Sequence, residues 1–173
     1  MNTLTLSETR IYVACLASYN SGRLHGKWID ANQDEETINE EIQQMLKESP
    51  EPFAEEWAIH DYDGFGGLCL SEYESIEDIV RHAEMINKHG EAYIAYAGNI
   101  GSDYVTEEGF EEAYQGQWDS EEDFAEHIVE ETMEIPEHIR FYFDYEKYAR
   151  ELFMGDYYSI RDDEHKVRVF RNI

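Results

Sequence analysis

The sequence predicts a mixed α+β protein made of three small units in series, and three observations carry that reading. Short apolar runs of strand length alternate with longer segments in which apolar residues recur every three or four positions. Two glycine clusters, at 63–67 and 98–101, interrupt the pattern. The 173 residues are 42% hydrophobic and 14% aromatic, enough apolar surface to fold although 31% are charged. That length suits one domain, or two or three with thin cores. The expected division is an N-terminal α+β domain at 1–63, a central helical domain at 64–101 and a C-terminal α+β domain at 102–173.

The elements follow in order. Residues 10–16, 24–31 and 57–62 read as strands. The run IYVACLA from Ile11 has no basic leader and is too short for a signal peptide or a membrane span, so a buried strand is expected there. Between the second and third strands, Ile38, Ile42, Met45 and Leu46 fall at helical spacing. Acids occupy that helix's first turn, where the dipole favours them, and Pro50 lies just past its end. A small antiparallel sheet with one helix results. Ser75 caps the next helix, whose face is Ile76, Ile79, Val80, Ala83 and Ile86 and whose stop is Gly90. A short helix at 91–97 follows. Helices are then expected at 106–114, 120–133 and near 145–153, and strands at 157–161 and 167–170. Cys15 and Cys69 each sit in an apolar run without CxxC spacing, which predicts reduced core thiols and a cytoplasmic location.

Charge is distributed very unevenly. Residues 28–139 hold 32 of the 40 acids and three of the 13 Lys and Arg, whereas the flanks carry +2 and 0. The net charge of −27 therefore arises entirely in the middle. Residues 89–139 contain 15 carboxylates and residues 48–80 another ten, neither with a Lys or Arg. Such density usually marks disorder, but the interleaved 13 Tyr, 8 Phe and 3 Trp argue that these acids stand on a fold.

Two helices concentrate the effect. Glu122, Glu126, Glu130 and Glu134 form an i, i+4 ladder of like charges, and Glu107 with Glu111 and Glu108 with Glu112 repeat it one helix earlier. Each such pair destabilises a helix by about 0.2–0.5 kcal/mol, so stability alone favours Lys at some of these positions. Asp119, Glu121, Asp123 and Glu131 complete the candidate surface. Duplex DNA carries one charge per about 1.7 Å, so the net charge of −27 matches roughly 45 Å of helix, and a dimer twice that. Carboxylates on rigid helices at about 5–6 Å spacing could occupy a Lys- and Arg-lined groove that normally holds phosphates. Direct binding to nucleic acid is disfavoured by the same field.

The stretches IYVACLASYNSGRLHGKWIDA (11–31), EEWAIHDYDGF (55–65), FEEAYQGQWDSEEDFAEHIVEET (110–132) and IPEHIRFYFDYEKYARELFMGDYYSI (135–160) occur in order along nearly the whole chain. Together they resemble the ArdA antirestriction proteins. The resemblance implies a DNA mimic encoded by mobile elements, three small domains forming an elongated chain, and a homodimer. It further implies inhibition of type I restriction-modification enzymes by occupancy of the DNA groove of their specificity and methyltransferase subunits. The family's acidic antirestriction motif matches loosely around Glu126, Glu130, Glu131 and Glu134. Phe141, Tyr142, Phe143, Tyr145 and Tyr148, in the near-neutral C-terminal segment, are the expected dimer contacts, because acidic blocks repel when pressed together.

Other classes fit less well. With 40 carboxylates a catalytic pair arises by chance, and HExxH, GxSxG and GxxxxGK[ST] are all missing, so no catalytic residue and no cofactor is expected. His60 beside Asp61 reads as a structural residue at a strand end. The Asp61, Asp63, Gly64 cluster fails the spacing of a calcium loop, and the histidines and cysteines share no ligand spacing, so no metal is expected. Salt adaptation would spread acidity over the whole surface, which the flanks contradict. The remaining alternative is an acidic interaction module for a partner that does not bind DNA.

Overall fold

The computed structural model describes residues 8–173. It is a mixed α+β structure with two three-stranded antiparallel sheets among the described residues, and it divides into two compact units, one ending at Tyr104 and one starting at Val105.

In the first unit β1 (Arg10–Cys15) is the central strand, flanked by β2 (Gly26–Asp30) and β3 (Trp57–Asp63). Ile11, Val13 and Cys15 are fully buried, the period-two pattern of a strand with one face on a core. The apolar run does not stay extended to its end, because Leu16 opens a five-residue helix, α1 (Leu16–Asn20). Nor does β2 reach back to Leu24, whose side chain is 86% exposed. Between β1 and β3 the register shifts: Tyr12 pairs with Asp61 and Val13 with Ile59, so His60 is the extra residue of a bulge. The histidine thus lies within β3, not at its end.

Helix α2 (Glu35–Lys47) packs Ile38, Ile42, Met45 and Leu46 onto this sheet. Its cap, Asp34, accepts the Thr37 N–H at 2.8 Å, and that bond with the Thr37 hydroxyl holds the carboxyl below the usual carboxylate range. Helix α3 (Ile76–His89) starts at Ser75, which accepts the Asp78 N–H at 3.1 Å, and Gly90 alone joins it to α4 (Glu91–Ile100). Helix α4 runs through Gly98, past the expected end at 97. Burial of Tyr93, Tyr96 and Ala97 outweighs the roughly 1 kcal/mol that a mid-helix glycine costs. A short 3-10 turn, Ser102–Tyr104, follows.

Two features of the first unit depart from the sequence reading. The glycine cluster at 63–67 is packed: Phe65 and Leu68 are buried, and Gly66 (φ +61°) abuts Ile94. Cys15 and Cys69 are both free thiols, but only Cys15 is in the core. Beyond the turn Leu68 points in and Cys69 out.

The second unit centres on β6 (Val167–Arg171), with β4 (Tyr114–Trp118) and β5 (Tyr157–Arg161) antiparallel on either side. Strand β4 is not expected from the sequence, because its five residues YQGQW show no alternation and contain Gly116 at φ +98°, where the register slips between Tyr114 and Gln117. Helices α5 (Glu107–Ala113), α6 (Glu121–Thr132) and α8 (Tyr145–Gly155) surround the sheet, with a single turn, α7 (Glu137–Arg140), between the last two. Phe124, Val167 and Val169 form the core with Trp118, Ile128, Phe153 and Tyr157 against them, and α6 meets α8 through Ala125, Ala149 and Leu152. In the β5–β6 turn Asp162 accepts from Gln117 and from the Glu164 and Lys166 N–H groups, and it lies 3.4 Å from Arg168. Burial works to raise its pKa, but these donors and the guanidinium together hold it below the usual range.

Candidate functional site

The acidic residues of the second unit owe their exposure to the apolar residues between them. In α5, capped by Thr106 through the Gly109 N–H at 3.0 Å, Phe110 and Ala113 turn inward and leave Glu107, Glu108, Glu111 and Glu112 at the surface. In α6 burial of Phe124, Ala125 and Val129 likewise drives Glu122, Glu126 and Glu130 outward. Asp119, Asp123, Glu131 and Glu134 are exposed as well. Glu121 is half-buried and accepts the Ser159 hydroxyl at 2.7 Å.

The ladder is one step shorter than expected. Helix α6 ends at Thr132, and Met133 is extended (φ −129°, ψ 134°), so Glu134 lies outside the helix. Ile135 precedes Pro136, which disfavours helical backbone there, and the chain straightens before the proline. Two like-charge steps remain on α6, Glu122 to Glu126 and Glu126 to Glu130.

The structure also brings cations to an acid stretch that has none of its own. Lys166 of the β5–β6 turn lies 3.6 Å from Asp119, and Arg140 lies 3.9 Å from Glu130, while His127 stands 3.5 Å from Glu131 one turn away. The four side chains of the Lys166 and Arg140 pairs are at least 43% exposed, and such pairs contribute about 0–1 kcal/mol in water. They trim the field at its edges without cancelling it.

Acids that the sequence reading left out of the site are equally displayed in the first unit. Glu35, Glu36 and Glu40 on α2 and Glu77 and Glu84 on α3 are exposed. The signal for them was present in the helical periodicity that buries Ile38, Ile42, Ile79 and Ala83, since acids between those positions must face solvent. Asp63, by contrast, is engaged by Arg10 at 3.0 Å.

The five aromatics of residues 141–148 divide in two. Phe141 and Tyr142 are 92% and 81% exposed, whereas Phe143, Tyr145 and Tyr148 are partly buried against one another, with Phe143 ring centres 4.8 Å and 5.8 Å from the other two. Beside them Met133, Ile135, Pro136, Ile139, Tyr142 and Phe143 line a shallow apolar groove of about 430 Å³. No helix among the described residues is long and apolar enough to cross a membrane.

The class so defined is a folded, strongly acidic α+β protein whose carboxylates are displayed by the outer faces of packed helices. The sequence model of the ArdA family, described as antirestriction protein, matches residues 11–166, and the chain belongs to that family. ArdA membership implies an antirestriction protein of an inhibitor family that interacts with restriction enzymes. Comparison with curated proteins finds no match.

Proposed function

We propose that this protein inhibits type I restriction-modification enzymes by standing in for B-form DNA. Its carboxylates enter the groove of the specificity and methyltransferase subunits and keep the duplex out. The observation that carries this reading is the display on α5 and α6 of exposed Glu pairs at i, i+4 spacing, a pattern of like charges that acts against helix stability. Exposed acids on α2 and α3 extend the same logic to the first unit.

Occupancy makes or breaks no bond. A Lys- and Arg-lined groove sheds its anions when the carboxylates arrive, so binding weakens steeply as salt rises. Carboxylates that imitate phosphates, and not base edges, also predict inhibition of enzymes that read different sequences. The three-domain division at 1–63, 64–101 and 102–173, pairing into a homodimer through the aromatics Phe141 to Tyr148, cytoplasmic action and origin on a mobile element belong to the same proposal. The nearly bare Phe141 and Tyr142 support that dimer contact, since apolar surface of this kind seeks a partner.

The test is a competition titration. Purified type I methyltransferase on labelled duplex is challenged with increasing protein at two salt concentrations. Stoichiometric displacement that fades at the higher salt is expected; an undisturbed methyltransferase–DNA complex at low salt would sink the proposal.

A further inference from the structure

We propose that the first unit carries a separate notch that recognises a cationic side chain, guanidinium above all. The notch lies where α1, β3 and the segment at 72–73 meet. Leu16, Tyr19, Asn20, His60, Glu72 and Tyr73 line a space of about 430 Å³.

Three of its walls are aromatic rings held out from the core. Tyr19 is 53% and Tyr73 70% exposed, and the Tyr19 and His60 rings meet edge to face with centres 4.7 Å apart. His60 reaches this position because it is the extra residue of the β3 bulge; in a regular ladder it would be paired like its neighbours. The Ile59 N–H donates to the Glu72 carbonyl at 2.9 Å, which anchors the 72–73 segment along the edge of β3. Backbone geometry, not chance, therefore assembles the rings.

The chemistry selects a cation. Aromatic faces present negative potential, and Glu72 adds a full negative charge at the rim. No Lys or Arg lies between 48 and 80; Arg10, Arg23, Lys27 and Arg81 of this unit are held by Asp63, Glu51, Glu41 and Asp78, and Lys47 and Lys88 stand on α2 and α3. None of them lines the notch. A guanidinium fits better than an ammonium, because its plane stacks on a ring while its N–H groups reach a carboxylate and the Asn20 amide. This inference rests on the DNA-mimic reading for the source of the cation, an arginine of the target's DNA groove.

The probe is Nα-acetyl-arginine amide, with Nα-acetyl-citrulline amide as a neutral control of the same length, titrated into the full chain while the His60, Tyr19 and Tyr73 ring resonances are followed by NMR. Saturable shifts with the arginine probe alone are expected. An exposed cation–π contact corresponds to about two- to fivefold in affinity per ring, so the Y19L/Y73L double variant should bind about four- to 25-fold more weakly, and Y19F/Y73F as the parent does. Equal responses to the two probes, or unchanged binding by the leucine variant, would overturn the notch. If the leucine variant does not fold, E72Q replaces it, with weakened arginine binding expected and parent-like binding overturning the assignment. In the methyltransferase competition the leucine variant should be a weaker inhibitor than the parent. Parent-like inhibition by that variant would overturn the target arginine while leaving DNA mimicry in place. Failure of the parent chain to inhibit would strike the mimicry, and the arginine titration would then judge the notch alone.

Discussion

Replacing Glu122, Glu126 and Glu130 together with Gln should move stability and inhibition in opposite directions. On α6 the change removes two like-charge i, i+4 steps, each worth about 0.2–0.5 kcal/mol, so the second unit gains roughly 0.4–1 kcal/mol. Loss of the loose Glu130–Arg140 contact, at 3.9 Å with both groups half exposed, falls at the weak end of the about 0–1 kcal/mol of such pairs, and the dipole's preference for Glu122 in the first turn is offset by its penalty on Glu130 in the last. The unfolding temperature should therefore rise by a few degrees, at about 4–8 °C per kcal/mol for a unit of this size. Inhibition should weaken at the same time. If each carboxylate engages one cation as a phosphate does, the logarithmic salt slope of binding falls by up to about 0.9 per residue. Three residues then reduce the loss of affinity between 50 and 200 mM salt by at most about 40-fold. The assay is displacement of labelled duplex from the methyltransferase at both salts, beside thermal unfolding of the two proteins. A triple variant that is more stable yet inhibits as the parent does, with the same salt slope, would refute the argument. Single Glu to Gln changes should be nearly silent, because a distributed field has no indispensable member.

Other expectations follow from particular contacts. Gly66→Ala should destabilise the first unit by about 1–3 kcal/mol in chemical denaturation, since the residue needs a positive φ and its Cβ would stand 2.7 Å from Ile94 Cγ2. His82, buried with its Nδ1 2.7 Å from the Tyr93 hydroxyl, has its pKa lowered first by burial and then by Arg81, with Asp78 and Asp103 opposing. A lowered histidine pKa means the unfolded chain takes up the proton first, so stability falls as pH drops from about 6.5 toward the folded value. His82→Gln should show less of that loss in unfolding temperatures measured from pH 7.5 to 5.5. Tyr93, pushed up to about 12 by burial, should add stability below about pH 10 that disappears as pH rises toward 12, visible as a loss absent from Tyr93→Phe. Phe141→Ser with Tyr142→Ser should lower the sedimentation-measured association of the chain without shifting its unfolding midpoint, since both side chains are nearly bare.

Much of the architecture could be read before folding. Helices α2, α3 and α6 announce themselves through apolar spacing and through Asp34, Ser75 and Ser120 as caps, all local signals within three or four residues. The outward direction of Glu122, Glu126 and Glu130 follows from the inward direction of Phe124 and Val129. At β4 and Cys69, where the sequence misleads, the cause is long-range. Strand β4 exists because β6 pairs with it and Tyr114 stacks on Phe110 and packs tilted against Phe170, with ring centres 5.4 Å away in each case, and no pattern within YQGQW carries that information. Cys69 looked apolar by its neighbours, yet the turn at Gly66 set the phase that turned it outward.

The net negative charge of the chain, its origin in residues 28–139 and its cost to helix stability were properties of the sequence alone, because charge and helical period are local quantities. Only the tertiary structure decided which carboxylates meet a cation and how a bulge in β3 sets His60 beside Tyr19. Those outcomes depend on contacts between residues tens of positions apart, whose distances are settled by packing and strand register.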